Sequence, residues 1–159
     1  ILPELRISDE AVKSSLIRKC IKEGDFEKTA RFLGRYHSYE GEVMHCKGLG
    51  KSLGFPTANI FPDKDKVLPP FGVYAAKAEV NGKEYGAVVN VGVNPTVENG
   101  VIPKMEVNIL DFNEDIYGKR IKISFYKIIR TEKKFANTDE LKSQIEKDRK
   151  NAKKCLTNC

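Results

Sequence analysis

Asn81 and Gly82 separate two runs that read as strands, Val73 to Val80 and Lys83 to Val91. A two-residue type I′ turn needs two neighbours that tolerate positive φ, and it joins only antiparallel strands, so this pair restricts the fold more than any other feature. Lys104 to Phe112 alternates in the same manner, with Met105, Val107 and Ile109 pointing one way and Glu106, Asn108, Leu110 and Phe112 the other. Ile121, Ile123 and Phe125 begin a further alternating strand that extends through Ile128 to Arg130, and Glu42 to Cys46 forms a short one. Phe61 to Phe71 is rich in proline and charge and reads as a loop, and Asn90 to Thr96 as a turn-rich segment able to cap or line a pocket. Roughly six strands without intervening helices predict an antiparallel sheet that closes, because an open sheet would expose its edges. The expected fold is mainly β, a six-stranded antiparallel Greek-key barrel.

Helices are expected at both ends. Ser8 can cap a first helix carrying Val12, Leu16, Ile17, Cys20 and Ile21 at helical spacing until Gly24. Asp25 can cap a second, with Phe26, Ala30 and Leu33 on one face and Gly34 as terminator. By itself this short N-terminal helical hairpin reads as a structural arm. The C-terminal helix runs from about Asn137 to Leu156, with Asn137 and Glu140 placed as a capping-box-like pair and Leu141, Ile145, Ala152 and Leu156 as its apolar seam. Asp148 falls in that seam. No basic residue stands three or four positions from it, which leaves a place at a ligand pocket or a buried structural hydrogen bond.

The 159 residues suffice for one domain with a core, and 40% hydrophobic with 31% charged residues is an ordinary globular composition. The net charge of +6 would suit an anionic partner, but the lysines are spread along the chain or interleaved with acids, as in Lys147 to Lys154, so a solvated surface is expected and no nucleic acid. Cys20, Cys46, Cys155 and Cys159 form no CxxC pair, and His37 and His45 lack zinc-site spacing; reduced thiols and no structural metal follow. No apolar run is long enough for a membrane span, and the expected location is the cytoplasm. Because the chain begins at Ile1 without methionine, it is expected to be a fragment of something longer.

The chemistry concentrates between Gly48 and Asn59. Gly48, Gly50 and Gly54, with Lys51 among them, let successive amides approach an anion, although glycines alone would also suit a plain connector. The spacing is neither a Walker loop nor a dinucleotide fingerprint. Phe55 and Pro56 follow, then Thr57 and Asn59, whose oxygen-bearing side chains share a face in an extended segment and suit a hard cation such as Mg²⁺.

Leu53 to Asn59, Leu-Gly-Phe-Pro-Thr-Ala-Asn, resembles the signature of riboflavin kinases, in particular the kinase half of the bacterial bifunctional riboflavin kinase/FMN adenylyltransferase (FAD synthetase). The resemblance runs over about residues 38 to 156. It covers Glu106 to Phe112, where Met105 precedes the glutamate and Asn108 replaces the family's usual histidine, then Ile116 to Gly118, Ile129, Arg130, Glu132, Phe135, Leu141, Ile145 and Asp148. From position alone Glu106 would be an ordinary surface glutamate. The resemblance implies that it is the general base that takes the proton of the ribityl 5′ hydroxyl. It further implies a six-stranded barrel with a C-terminal helix, ATP held by Gly48, Gly50, Lys51, Gly54, Phe55, Pro56, Thr57, Asn59 and Asn90, Mg²⁺ or another divalent cation at Thr57 and Asn59, and flavin bordered by Arg130, Phe135 and Asp148. Cys46, Lys51 and Asn94 depart from the family's usual residues, and Lys51 keeps the charge of a frequent arginine without its bidentate fork.

Ser14 to Arg18, Glu23 to Asp25 and Leu33 to Arg35 resemble the closing segment of the family's adenylyltransferase half. The implied organisation is residues 1–37 as the remnant and linker of that half and 38–159 as the kinase domain, with the native chain fused to an N-terminal adenylyltransferase domain whose activity is not expected here. The implied function is conversion of riboflavin and ATP to FMN and ADP. Its rivals are a flavin-binding barrel without catalysis and a basic nucleic-acid-binding barrel, the latter requiring exposed aromatics on one sheet face.

Overall fold

The computed structural model describes residues 6, 7, 9–46, 49–96 and 100–158. A two-strand ribbon, β1 (Arg6–Ile7) and β2 (Glu10–Ala11), precedes helices α1 (Ser14–Lys22) and α2 (Phe26–Leu33). The barrel strands are β3 (Ser38–Glu42), β4 (Ala58–Ile60), β5 (Gly72–Val80), β6 (Lys83–Thr96), β7 (Gly100–Ile109) and β8 (Arg120–Thr131). A single helical turn, α3 (Leu49–Ser52), lies between β3 and β4, and α4 (Thr138–Thr157) closes the chain. The order is β3-β8-β5-β6-β7-β4, every pair antiparallel, and a bridge between Met44 and Asn59 brings the two edges together, so the sheet is nearly closed.

The Asn81–Gly82 turn forms as the sequence requires, with φ of 50° and 77°, and registers β5 against β6 from Val80–Lys83 down to Gly72–Val91. Alternation then fills the barrel: Ala76, Ala78, Val89, Val91, Met105, Val107, Ile121, Ile123 and Phe125 are buried inside it. Phe26 of α2 reaches this core and stacks on Phe125 at 5.1 Å, so the helical hairpin is tied to the barrel through the first residue of its second helix. Tyr74 is sealed beside it, its hydroxyl donating to the Pro70 carbonyl at 2.6 Å and its pKa pushed up to about 12 by burial. On the outer face Val73, Ala75, Val88 and Leu110 pack against Ala152 and, at the margin, Leu156 of α4. Cys20, Cys46 and Cys155 are free thiols.

Several expectations change. The first helix starts at Ser14, because Asp9 takes φ 64° in the tight turn between β1 and β2; Ser8 lies outside the described residues, and Lys13 at the N-cap makes no side-chain cap bond. The buried face of α2 is Phe26, Thr29 and Phe32 rather than Phe26, Ala30 and Leu33; the Thr29 hydroxyl is satisfied by donating to the Asp25 carbonyl at 2.7 Å. The strand expected over Glu42 to Cys46 comes earlier, at β3, held by β8 from Ser38 to Glu42. Asn90 to Thr96 is not a separate turn: pairing with β7 from Gly92–Lys104 to Thr96–Gly100 carries β6 through it, ladder bonding overriding local turn propensity. Phe112 does not share the face of Glu106. The strand ends at Ile109, Asp111 turns the chain at φ 52°, and Phe112 packs on the barrel core.

The caps of α2 and α4 form as predicted. Asp25 accepts from the Lys28 N–H at 2.9 Å and Gly34 closes α2 at φ 70°. Asn137 accepts from the Glu140 N–H at 2.9 Å, while Glu140 reaches back to the Ala136 N–H at 3.2 Å. Replacing Asn137 by alanine is expected to lower stability by about 1 kcal/mol, read by urea unfolding.

His37, at the entry to β3, has its pKa lowered to about 4, first by burial and then by Lys66 and Arg35. An unfolded chain binds the imidazole proton near pH 6.5. Folding therefore loses stability as pH falls through that value, until the folded form also titrates near 4. After discounting for partial exposure the loss is about 1–2 kcal/mol. His37→Gln is expected to flatten the dependence of thermal midpoint on pH in this window.

Candidate active site

Register builds the site. Asn59 of β4 stands opposite Glu106 of β7, Glu106 opposite Asn90 of β6, and Asn90 opposite Val73 of β5. Directly opposed residues share a face. Val73 in turn opposes Arg130, because β8 shifts register against β5 twice, between Val73 and Tyr74 and between Ala75 and Ala76. One row across the sheet thus carries Asn59, Glu106, Asn90 and Arg130 on the face away from the barrel core, and Thr57, two residues before Asn59, extends it.

Two cavities adjoin this row: the larger opens on this face, whereas the smaller lies at the end of the barrel interior, where the inward-facing Val43, Ala58, Val107 and Ile109 line it. The larger, about 680 Å³, is bounded by Asn90, Glu106, Asn108 and Arg130 from the sheet, by Phe135 from the loop after β8, by Leu141, Ile145 and Asp148 from α4, and by Gly50, Leu53 and Phe55 from the glycine-rich loop. The smaller, about 430 Å³, lies between Lys51, Pro56 and Ala58 on one side and residues Asn113 to Tyr117 on the other. Thr57 lines both.

The glycine-rich loop is compact. Phe55 donates its N–H to the Gly50 carbonyl at 2.7 Å, and a Cβ at Gly50 would stand 2.5 Å from the Phe55 carbonyl oxygen, so only glycine fits. Gly54 sits at φ 85°, open to residues without a side chain. The loop is pinned from outside: Asn108 donates to the Pro56 carbonyl at 2.9 Å, Arg149 of α4 donates to Asn108, and the Arg149 guanidinium lies 5.6 Å from the Phe55 ring centre. Asn108 thus both donates to the loop and accepts from α4.

Glu106 is partly exposed and holds Lys104 at 2.5 Å, a lysine whose side chain is only 13% exposed. Asp148 is 2% exposed, and its partner lies across the cavity on β8. Arg130 donates through Nε to both carboxylate oxygens, at 3.1 and 3.0 Å, and through Nη2 at 2.9 Å, while Gln144 adds a bond at 2.9 Å. The Arg130 guanidinium also faces the Phe135 ring at 5.7 Å. Of the two readings of Asp148, the buried hydrogen bond is formed, and the carboxylate meets the cavity as the anchor of Arg130.

Most of the expected residues therefore come together, with qualifications. Gly48 lies outside the described residues, as do the side chains of residues 94–96 that include Asn94. Asn59 is buried at 3% and does not line either cavity, and Asn90 faces the larger cavity rather than the one beside Lys51. Sequence reasoning missed the wall from Asn113 to Tyr117, where Tyr117 stacks on His45 at 3.6 Å, and it missed Arg149. Only the Ile116, Tyr117, Gly118 match hinted at the first. Among the described residues no three His, Cys, Asp or Glu side chains gather as a metal site, so a cation here would rest on neutral oxygens and on the phosphates of a ligand.

Two cavities of small-molecule size thus meet at Thr57, with the glycine-rich loop between them and the Glu106 carboxylate on the wall of the larger. The Flavokinase family model, described as riboflavin kinase, matches residues 33–156, and the chain belongs to that family. It is 42% identical over 160 residues to the bifunctional riboflavin kinase/FMN adenylyltransferase of Bacillus subtilis (strain 168), covering 99% of this chain and 51% of that protein. Against the bifunctional enzyme of Haemophilus influenzae (strain ATCC 51907 / DSM 11121 / KW20 / Rd) it is 39% identical over 91% of its length and 46% of the other. The chain spans about half the length of the curated relatives it matches. Among solved structures, riboflavin kinase from Trypanosoma brucei superposes with a TM-score of 0.53 at 26% identity, over 76% of this chain and 79% of that one. A Streptococcus pneumoniae structure titled macrolide-efflux protein superposes at 0.87 and 32% identity, over 96% of this chain and 50% of that one. In this chain no helix among the described residues is long and apolar enough to cross a membrane.

Proposed function

We propose that this chain transfers the γ-phosphate of ATP to the 5′ hydroxyl of riboflavin, giving FMN and ADP. The observation that carries this reading is the meeting of two cavities at Thr57 with Glu106 on the wall of the larger. The smaller cavity, beside Lys51, takes the nucleotide; the larger, with Phe135, Leu141 and Ile145 as apolar wall and Arg130 as polar edge, takes the flavin ring. The glycine-rich loop lies between them, where the phosphates must pass from one to the other.

In this reading Glu106 accepts the proton of the ribityl hydroxyl as its oxygen forms a bond to the γ-phosphorus and the bond from that phosphorus to the bridging oxygen breaks, releasing ADP. Phosphoryl transfer asks the protein mainly for alignment and charge neutralisation, supplied by loop amides and Lys51. Thr57, which lines both cavities, and Asn59, buried two residues further on, offer neutral oxygens that would suit Mg²⁺ or a similar divalent cation, which when bound neutralises phosphate charge. Thr57→Val is expected to lower turnover at fixed Mg²⁺ by about tenfold or more, with partial recovery at higher Mg²⁺, measured by cation titration of initial rates.

Residues 1–37 are proposed as the end of an adenylyltransferase half that the native protein carries in full, and the kinase as acting in the cytoplasm, where ATP is at hand. The nucleic-acid reading is not favoured: the large aromatics exposed among the described residues are Phe71 and Tyr117, and Tyr117 is stacked on His45. The test is incubation with riboflavin, ATP and Mg²⁺ and separation of FMN by chromatography. Failure to form FMN under conditions where the chain is folded overturns the proposal.

A further inference from the structure

We propose that a third cavity, at the end of β8 remote from Arg130, binds a phosphate-class oxyanion between Arg35, Lys66, Arg120 and Lys122, with His37 as its inner hydrogen-bond partner. The cavity holds about 380 Å³ and is built from separate stretches of chain: the entry to β3, the connection between β4 and β5, and the first residues of β8. Arg120 and Arg130 are ten positions apart along one strand, roughly 30 Å, so this cavity is distinct from the pair that meets at Thr57.

Charge is the first argument. Four cationic side chains face two carboxylates, Glu40 and Asp63. Glu40 is already engaged with Arg120 at 3.7 Å, and Arg35, Lys66 and Lys122 make no ion pair among the described residues. Cations brought together from different elements repel, and a concave wall raises the local potential, so an anion entering it relieves the repulsion and is drawn in.

The second argument is an unsatisfied donor or acceptor. Nε2 of His37 is buried and has no hydrogen-bond partner, the only such side-chain atom among the described residues. The rest of the residue is fixed: its carbonyl accepts from the Phe125 N–H at 3.0 Å, and its ring meets Tyr39 edge-on at 4.8 Å. A buried polar atom left without a partner calls for one. A tetrahedral oxyanion offers oxygens to the guanidinium groups and the imidazole together, and Arg in this setting favours phosphate geometry. The ion could be free inorganic phosphate or the phosphate of an ester.

The test uses the whole chain, whose only histidines are His37 and His45, followed by imidazole NMR at constant ionic strength. Titration with inorganic phosphate is expected to move the His37 signals saturably, with Kd about 1 mM or tighter. Arg120→Ala combined with Lys122→Ala is expected to weaken binding by about tenfold or more and to leave FMN formation unchanged. Should that variant misfold, Lys66→Ala, on a loop, carries the same expectation. A parallel titration with glycerol phosphate assigns the source: tighter binding than phosphate points to an ester, equal or weaker binding to the free ion. A non-saturating response, an equal response to chloride, or full binding by the variants overturns the proposal.

Discussion

Glu106→Gln is expected to reduce kcat by about two to four orders of magnitude while leaving the KM values for riboflavin and ATP close to those of the parent. The amide keeps the shape and the place on β7 opposite Asn59 and Asn90 but cannot accept the hydroxyl proton. Because the side chain is partly exposed, its loss should not unfold the barrel, and a fold check by circular dichroism separates chemistry from stability. Lys104 loses its counter-charge in this variant and is expected to lower the thermal midpoint slightly. A variant with near-parental turnover would show that Glu106 is not the base.

The second large effect concerns stability. Asp148→Ala removes a carboxylate that is 2% exposed and leaves the Arg130 guanidinium, itself mostly covered, without its partner. Breaking such a pair from one side costs about 3–5 kcal/mol, because the remaining charge stays desolvated. Urea unfolding should show a lower midpoint with an unchanged slope. Riboflavin binding should weaken as well, since Arg130 then has no fixed position at the rim of the larger cavity. If stability fell by less than about 1 kcal/mol, the ion pair would not be the anchor described above.

These two residues also mark where sequence reading succeeds and where it stops. Glu106 could be placed from the alternation of β7 and the resemblance around it, since period-two patterning fixes which side chains share a face. The same patterning marked the inward set from Ile121 to Phe125, and the positive-φ tolerance of Asn81 and Gly82 marked the hairpin between β5 and β6. The partner of Asp148 was invisible because it lies 18 residues away, across a loop, and on a strand whose two register shifts decide where Arg130 stands. Local rules likewise failed at Asn90 to Thr96, where pairing with a distant strand outweighed turn propensity, and at the start of the first helix, where Glu10 and Ala11 pair with β1 and the helix begins only at Ser14. The wall from Asn113 to Tyr117 carries no periodicity, so pattern could not reveal it. Arg149 was hidden for a different reason: in a helix so rich in lysine, one more cation looks like solvated surface until Asn108 and Phe55 are seen beneath it.

Thr57 belongs to the walls of both cavities, and this makes it a shared partition. Any movement that seats one ligand against it alters the room left for the other. Binding free energies coupled in this way are reciprocal, so on the proposed function whatever factor the nucleotide imposed on flavin affinity, flavin would impose on the nucleotide. A single hydroxyl-bearing side chain would then set how strongly the two occupancies speak to each other, quite apart from any part it has in holding a cation.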